Sequence, residues 1–172
     1  MVIEDKTRGG SDKSGKLKCK CRGHDGPIQS VAAFKPGVVV SGSSDRTMKL
    51  WKWGDDAELA TIAGHANGVS CMMWVDAMTP LLVSGSDDWS IKVWTVEVVA
   101  EEKKKSNWNA SVTPIATMAK AHKDTVKCLA QVGYPCKRIV SGSNKEMKLW
   151  DFKTYECLAV MKGHDGWVVG AA

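Results

Sequence analysis

Two sets of residues in this chain have the types that nucleophilic hydrolases use. The first set consists of His24, Ser41 and Asp45. The second set consists of His65, Ser84 and Asp88. In a hydrolase the serine would attack a carbonyl, the histidine would act as its base and the aspartate would orient the imidazole. Two observations argue against that chemistry: the set is copied along the chain, and the sequence has no G-x-S-x-G nucleophile elbow.

A repeat surrounds both sets. The segments 23–51, 64–94 and 121–150 align with one another, and a further copy begins at Gly163. The next copy starts 13 residues after Trp51 and after Trp150, but 27 residues after Trp94. An insert of 14 residues therefore lies after Trp94, around residues 100–111.

Each repeat has the pattern of short strands. The apolar run 38–40 leads into a tight Ser-Gly turn, and residues 47–51 alternate between polar and apolar. No amphipathic helical window competes with this pattern. Four strands of about five residues in a repeat of about 40–45 residues predict an all-β chain built from propeller blades.

The recurring motifs resemble those of the WD40 repeat family. The Gly-His openers are Gly23-His24, Gly64-His65 and Gly163-His164, with Ala121-His122 as a variant. Ser-Gly-Ser stands at 41–43, 84–86 and 141–143, and the strands end at Trp51, Trp94 and Trp150. The resemblance covers residues 16–172 and implies three four-stranded antiparallel blades plus the first strand of a fourth. Residues 16–22 would form the outer strand of a preceding blade, after a flexible basic tail at 1–15.

The resemblance also gives the repeated polar residues a structural role. In this family a His, a Ser, a turn Asp and a Trp form a buried hydrogen-bonded tetrad. The implied members are His24, Ser41, Asp45, Trp51, His65, Ser84, Asp88, Trp94, His122, Ser141 and Trp150. The physical chemistry agrees, because a buried indole N–H needs an acceptor and a buried imidazole needs a partner on both nitrogens.

The third repeat departs from the pattern. Ser141 and Trp150 are nine residues apart, whereas the other two repeats have ten, and its turn carries no Asp at the matching place. We expect its network to be incomplete or rearranged, with Asn144 substituting in part through its carbonyl oxygen.

Partner binding is expected on the loops. In the WD40 family the loop opened by Gly-His and the turn after Ser-Gly-Ser share one face, here called the top face. The candidate partner surface consists of Asp25, Arg46, Trp89, Lys123, Asp124, Lys145, Glu146 and Trp167. Trp89 either anchors a partner near Arg46 or folds back on its own blade. The insert is either a flexible surface loop or a docking element carried by Trp108.

Other functions find less support. Residues 1–22 hold seven Lys or Arg against three Asp or Glu, and such a tail is more often solvated than bound to nucleic acid. Cys19, Cys21 and His24 lack a fourth ligand and zinc-site spacing, so packing is the better interpretation. No phosphate loop or GxGxxG motif occurs, and no cofactor or metal is implied.

The chain is predicted to act inside the cell, in the cytoplasm or nucleus. It has no signal-like apolar segment, no run of 18 apolar residues and no CxxC pair among its six cysteines. Three blades are fewer than the four to eight of a propeller. We therefore expect a fragment of a longer protein, an assembly with other chains or an open arc. The predicted function is a non-catalytic protein-interaction scaffold; the alternatives are a nucleic-acid-associated protein and the non-catalytic region of a larger enzyme.

Overall fold

A computed structural model describes residues 21–34, 37–52, 57–75, 81–100, 108–133 and 137–171. These residues form three four-stranded antiparallel sheets, one for each repeat. The prediction of an all-β chain with three blades is confirmed. Within the described ranges, no helix is long and apolar enough to cross a membrane.

The strands follow chain order within each blade, so that consecutive strands are hydrogen-bonded neighbours. Blade 1 contains β1 (Ile28–Phe34), β2 (Val38–Ser43), β3 (Thr47–Lys52) and β4 (Ala57–Ala63). Blade 2 contains β5 (Val69–Val75), β6 (Leu81–Ser86), β7 (Ile91–Ala100) and β8 (Trp108–Met118). Blade 3 contains β9 (Cys128–Val132), β10 (Arg138–Gly142), β11 (Asn144–Asp151) and β12 (Cys157–Trp167).

Two apolar layers hold the three blades together. The first joins blade 1 to blade 2 and contains Leu50 and Trp94; the second joins blade 2 to blade 3 and contains Val93 and Trp150. Side chains alternate along each strand, so both faces of blade 2 are apolar and both are covered. In each layer one blade presents its trailing face, which points along the chain, and the next presents the leading face that carries its tryptophan.

The glycine of each Ser-Gly-Ser turn permits close contact between blades. A Cβ on Gly42 would lie 2.8 Å from Val69 Cγ1, and a Cβ on Gly85 would lie 2.7 Å from Val126 Cγ1. Real Cβ atoms do not come that close to a neighbouring methyl group. The glycine is therefore required by the valine at the start of the next blade, and Ser-Gly-Ser is a packing motif as well as a turn.

The fourth repeat does not form as expected. β12 continues through Gly163 and His164 to Trp167, so this Gly-His does not open a loop, and no strand follows in the described residues up to 171. In each complete repeat a Ser-Gly-Ser turn further along the chain holds the histidine, and the sequence has no such turn after His164. Val168 is nevertheless buried against Gly142, as Val69 is against Gly42.

The insert is also more regular than expected. β7 extends to Ala100 and β8 begins at Trp108, with Ala100 paired to Trp108 and Glu97 to Ser111. Residues 108–111, predicted to be part of a flexible loop, therefore belong to the sheet, since Val96, Val98 and Val112 favour a continued ladder. The side chain of Trp108, the tail at 1–15 and the proposed strand residues 16–20 lie outside what the structure describes. Cys21 and Arg22 are not in a strand.

Candidate functional site

Blade 2 contains the clearest example of the repeated polar network. His65 Nε2 lies 2.7 Å from Ser84 Oγ, and the indole N–H of Trp94 donates to the same oxygen at 2.9 Å. His65 Nδ1 lies 2.9 Å from Asp88 Oδ2. Because Ser84 Oγ already accepts from the indole, its own hydrogen points to Nε2, and the proton of the imidazole is on Nδ1 facing the carboxylate.

The carboxylate of Asp88 also holds the turn. Ser90 donates to Oδ1 through its backbone N–H at 2.9 Å and its hydroxyl at 2.6 Å. The backbone N–H of Ala66 donates to Oδ2 at 2.8 Å. Although burial raises the pKa of this carboxyl, the hydrogen bonds from Ser90 and Ala66 and the proximity of His65 lower it to about 2. Asp88 thus fixes the histidine loop to the turn between β6 and β7.

Blade 1 repeats the arrangement with the same residue types. His24 lies 2.7 Å from both Asp45 Oδ2 and Ser41 Oγ, and Trp51 donates to Ser41 at 2.7 Å. Thr47 takes the place that Ser90 has in blade 2. Burial raises the pKa of the Asp45 carboxyl, but the hydrogen bonds from Thr47, His24 and Asp25 outweigh it and keep that pKa well below its usual range.

Blade 3 has a rearranged network. His122 Nε2 lies 2.6 Å from Ser141 Oγ, and Trp150 donates to Ser141 at 2.8 Å. The partner of Nδ1 is Glu146, whose Oε1 lies 2.9 Å away. The expectation that Asn144 substitutes for the aspartate is wrong, because its amide donates to Asp124 at 3.3 Å instead.

The shorter turn explains the use of glutamate. Counting back from the tryptophan, Glu146 corresponds to Thr47 and Ser90 on the strand, not to the turn aspartates. Gly142 pairs with Met147 just as Gly42 pairs with Met48, so the strand registers agree. The additional methylene of glutamate lets the carboxylate reach the imidazole from this strand position. A count from Trp150 would have found this partner in the sequence.

The histidines of blades 2 and 3 are held neutral. Burial lowers the pKa of His65 and of His122, and the paired carboxylates offset this only in part. Burial raises the pKa of Glu146, but hydrogen bonding from His122 and the charge of Lys148 lower it below its usual range. Lys148 Nζ also donates to the backbone oxygen of Ala121 at 2.7 Å, which ties this opener to β11.

The three serines have no route to a substrate. Ser41, Ser84 and Ser141 are all buried, and each already accepts an indole hydrogen bond. A nucleophile has to reach a substrate carbonyl, whereas these oxygens face the inside of a blade. The described residues also contain no cluster of His, Cys, Asp or Glu suited to a metal ion.

The top-face residues are distributed over the turns. Arg46, Trp89 and Lys145 each adopt a left-handed backbone, with φ of 74°, 69° and 62°. Such angles are uncommon for residues with bulky side chains. The indole of Trp89 is 45% exposed, so it is not folded away into its blade. Its proximity to Arg46 stays a prediction.

The other candidate surface residues fall into two groups. Asp25, Lys123 and Lys145 are exposed, whereas Asp124 is half-buried and accepts from the backbone of Thr125. Glu146 was expected on the partner surface, but its carboxylate is committed to His122. This prediction is wrong because the shortened turn moves Glu146 from the turn tip onto β11.

Sequence reasoning missed one residue at the end of blade 3. Trp167 is 45% exposed, and Lys127 Nζ lies 5.4 Å from the centre of its ring. The same ammonium lies 3.8 Å from Asp87 Oδ1 on the turn of blade 2. Lys127 therefore bridges an acidic turn and an exposed indole across the blade boundary. It belongs to no motif, so only the spatial arrangement reveals it.

Comparison with known proteins places these repeats among described ones. The family model for "WD domain, G-beta repeat" matches residues 15–52, 57–95 and 112–151. The chain is 35% identical over 159 residues to the nuclear distribution protein PAC1 of Arthroderma otae, covering 84% of the chain and 31% of that protein. It is 34% identical over 145 residues to a CCR4-associated factor 4 homolog of Candida glabrata, covering 83% and 23%.

A third relative and two solved structures extend the comparison. A ribosome biogenesis protein WDR12 homolog of Anopheles gambiae is 30% identical over 152 residues, covering 80% of the chain and 35% of that protein. The chain thus spans about a third or less of the lengths of these relatives. The computationally designed Ika4 protein superposes with a TM-score of 0.66 at 25% identity, covering 89% of this chain and 83% of the other. U3-55K superposes with the same score at 21% identity, covering 86% and 42%, and shows the shared fold.

Proposed function

The chain belongs to the WD40 repeat family, and from this premise we propose that it is a non-catalytic scaffold that binds another protein or peptide through its top face. The observation that carries the proposal is the division of its polar residues. Those with chemical potential are buried in blade-locking networks, and the tryptophans of the turns are left exposed.

Trp89 is the best candidate for a binding anchor. An exposed indole on a left-handed turn residue does nothing for the core of its blade, whereas tryptophan is among the residues that dominate binding energy at interfaces. The backbone oxygen of Trp89 accepts from the N–H of His122 at 3.3 Å. The turn is thereby tied to the next blade, which keeps the indole preorganised.

The proposed partner is a protein, and the proposed location is inside the cell, in the cytoplasm or nucleus. Support for the location comes from relatives named for nuclear distribution and ribosome biogenesis. We do not favour nucleic acid, because the excess of basic residues is confined to 1–22 and the top face carries charges of both signs.

The test compares two equally exposed apolar side chains. Trp89 is 45% exposed on the top face, and Ile115 is 46% exposed on the outer strand β8. Proteins captured from lysate by wild type, Trp89→Ala and Ile115→Ala would be quantified by mass spectrometry. We expect at least one partner to fall about tenfold with Trp89→Ala alone. Equal recovery by all three proteins would remove Trp89 from the binding site.

A further inference from the structure

The two ends of the arc carry the two halves of one kind of interface. Strand register identifies the residues that correspond between blades: Ile28, Val69 and Val126 begin the inner strands and point to the preceding blade. Val69 and Val126 are fully buried against that blade, but Ile28 is 54% exposed. Val31 is 56% exposed, whereas its counterpart Met72 is 9% exposed.

The opposite face of blade 3 shows the complementary pattern. Phe34, Val75 and Val132 end the inner strands; Phe34 and Val75 are 7% and 0% exposed, but Val132 is 42% exposed. On the outer strands, Ile62 pairs with Met48, Met118 with Ile91 and Met161 with Met147. Ile62 and Met118 are 6% and 7% exposed, whereas Met161 is 40% exposed.

The residue types at both ends suit mutual packing. The leading face of blade 1 consists of Ile28, Val31, Val39 and Trp51, in place of Val69, Met72, Leu82 and Trp94 in blade 2. The trailing face of blade 3 consists of Val132, Val140, Met147, Leu149 and Met161, in place of Phe34, Val40, Met48, Leu50 and Ile62 in blade 1. Both faces are as apolar as those that pack inside the chain.

We propose that the trailing face of blade 3 binds the leading face of blade 1 of a second copy of this chain, and the reverse, to close a ring. The two interfaces already present within the chain show what covers such a face: the leading face of another blade in the same orientation. Two copies supply six blades, within the four to eight that propellers use. The pairing is head-to-tail, because leading and trailing faces differ.

This inference is independent of the top-face proposal, since Trp89 is on neither end face. Closure would place two equivalent top faces side by side, so a partner with two binding segments would gain from avidity. Failure of the top-face experiment would leave the ring untouched, and failure of the ring would leave Trp89 available.

The experiment measures the mass of the full chain by light scattering over about 1 to 100 µM. We expect twice the chain mass of 18.7 kDa. Val31→Glu and Met161→Glu each place a carboxylate in one half of the interface and should weaken association by about a hundredfold. Both positions are exposed in the single chain, so unchanged circular dichroism should accompany the loss. If a glutamate variant misfolds, Val31→Thr and Met161→Gln replace it.

Two further measurements decide whether pairing is head-to-tail. Ile115→Glu, on neither end face, should keep the wild-type mass. An equimolar mixture of Val31→Glu and Met161→Glu should recover a dimer, because the intact trailing face of the first can bind the intact leading face of the second. A monomeric wild type, a dimer that survives either variant, failure of the mixture to associate, or growth into long polymers would each overturn the closed two-copy ring.

Discussion

Blades 2 and 3 solve the same problem with acids at different positions. In blade 2 the carboxylate comes from Asp88 in the turn; in blade 3 it comes from Glu146 on the strand. Both place an oxygen 2.9 Å from Nδ1 of a buried histidine. The comparison teaches that the fold requires a carboxylate at this nitrogen, and that a turn shortened by one residue can be offset by a side chain longer by one methylene.

The largest predicted effect tests whether the two networks are equally strong. His65→Ala and His122→Ala should each lower the free energy of unfolding by about 3 kcal/mol, because each leaves a cavity and a buried serine and carboxylate without their partner. Denaturant unfolding would measure both. A loss for His122→Ala of less than half that for His65→Ala would show that blade 3 is only loosely locked.

Acid length gives a sharper test of the same comparison. Glu146→Asp should cost about 1–2 kcal/mol, because the carboxylate no longer reaches Nδ1 and a buried N–H loses its acceptor. Lys145→Ala, at the adjacent exposed position, is the matched control and should change stability by less than about 0.5 kcal/mol. If Glu146→Asp behaved like Lys145→Ala, the ion pair with His122 would be unimportant.

Acidification should weaken both networks. The pKa values of His65 and His122 are lowered in the fold, so their contribution is complete above the ordinary histidine value of 6.5 and is lost as the pH falls below it. Asp88, with its pKa lowered to about 2, adds a second loss below about pH 4. Thermal unfolding at pH 8, 6 and 5 should give a steadily falling Tm. A Tm that rose from pH 8 to pH 5 would contradict the neutral, buried state of these histidines.

The smallest effect concerns the turn tips, where the blades differ most freely. Trp89→Gly removes the side chain from a left-handed residue, and it should leave stability within about 1 kcal/mol of wild type, since relief of backbone strain and added chain entropy oppose each other. Thermal unfolding of this variant beside Trp94→Ala, which should lose about 3–5 kcal/mol, provides the contrast. A large loss at Trp89 would give that indole a structural role.

The repeats and the networks of blades 1 and 2 could be read from the sequence because their residues keep fixed spacings. Glu146 could not be assigned by counting forward from Ser141, since the missing turn residue shifts every later position by one. The path of Gly163 and His164 was mispredicted because a Gly-His loop depends on strands that follow it in the chain. The extension of β7 and β8 was missed because the charges near Ala100 suggested a loop, although the valines before it favour a sheet.

The central claim is that Trp51, Trp94 and Trp150 are locked inside their blades while Trp89 and Trp167 remain on the surface. Hydrogen–deuterium exchange of the indole N–H groups, followed by NMR, tests this directly. The three that donate to Ser41, Ser84 and Ser141 should exchange at least about a thousandfold more slowly than the two exposed ones. Equal, rapid exchange at all five would show that the serine–histidine–tryptophan networks do not hold the blades together.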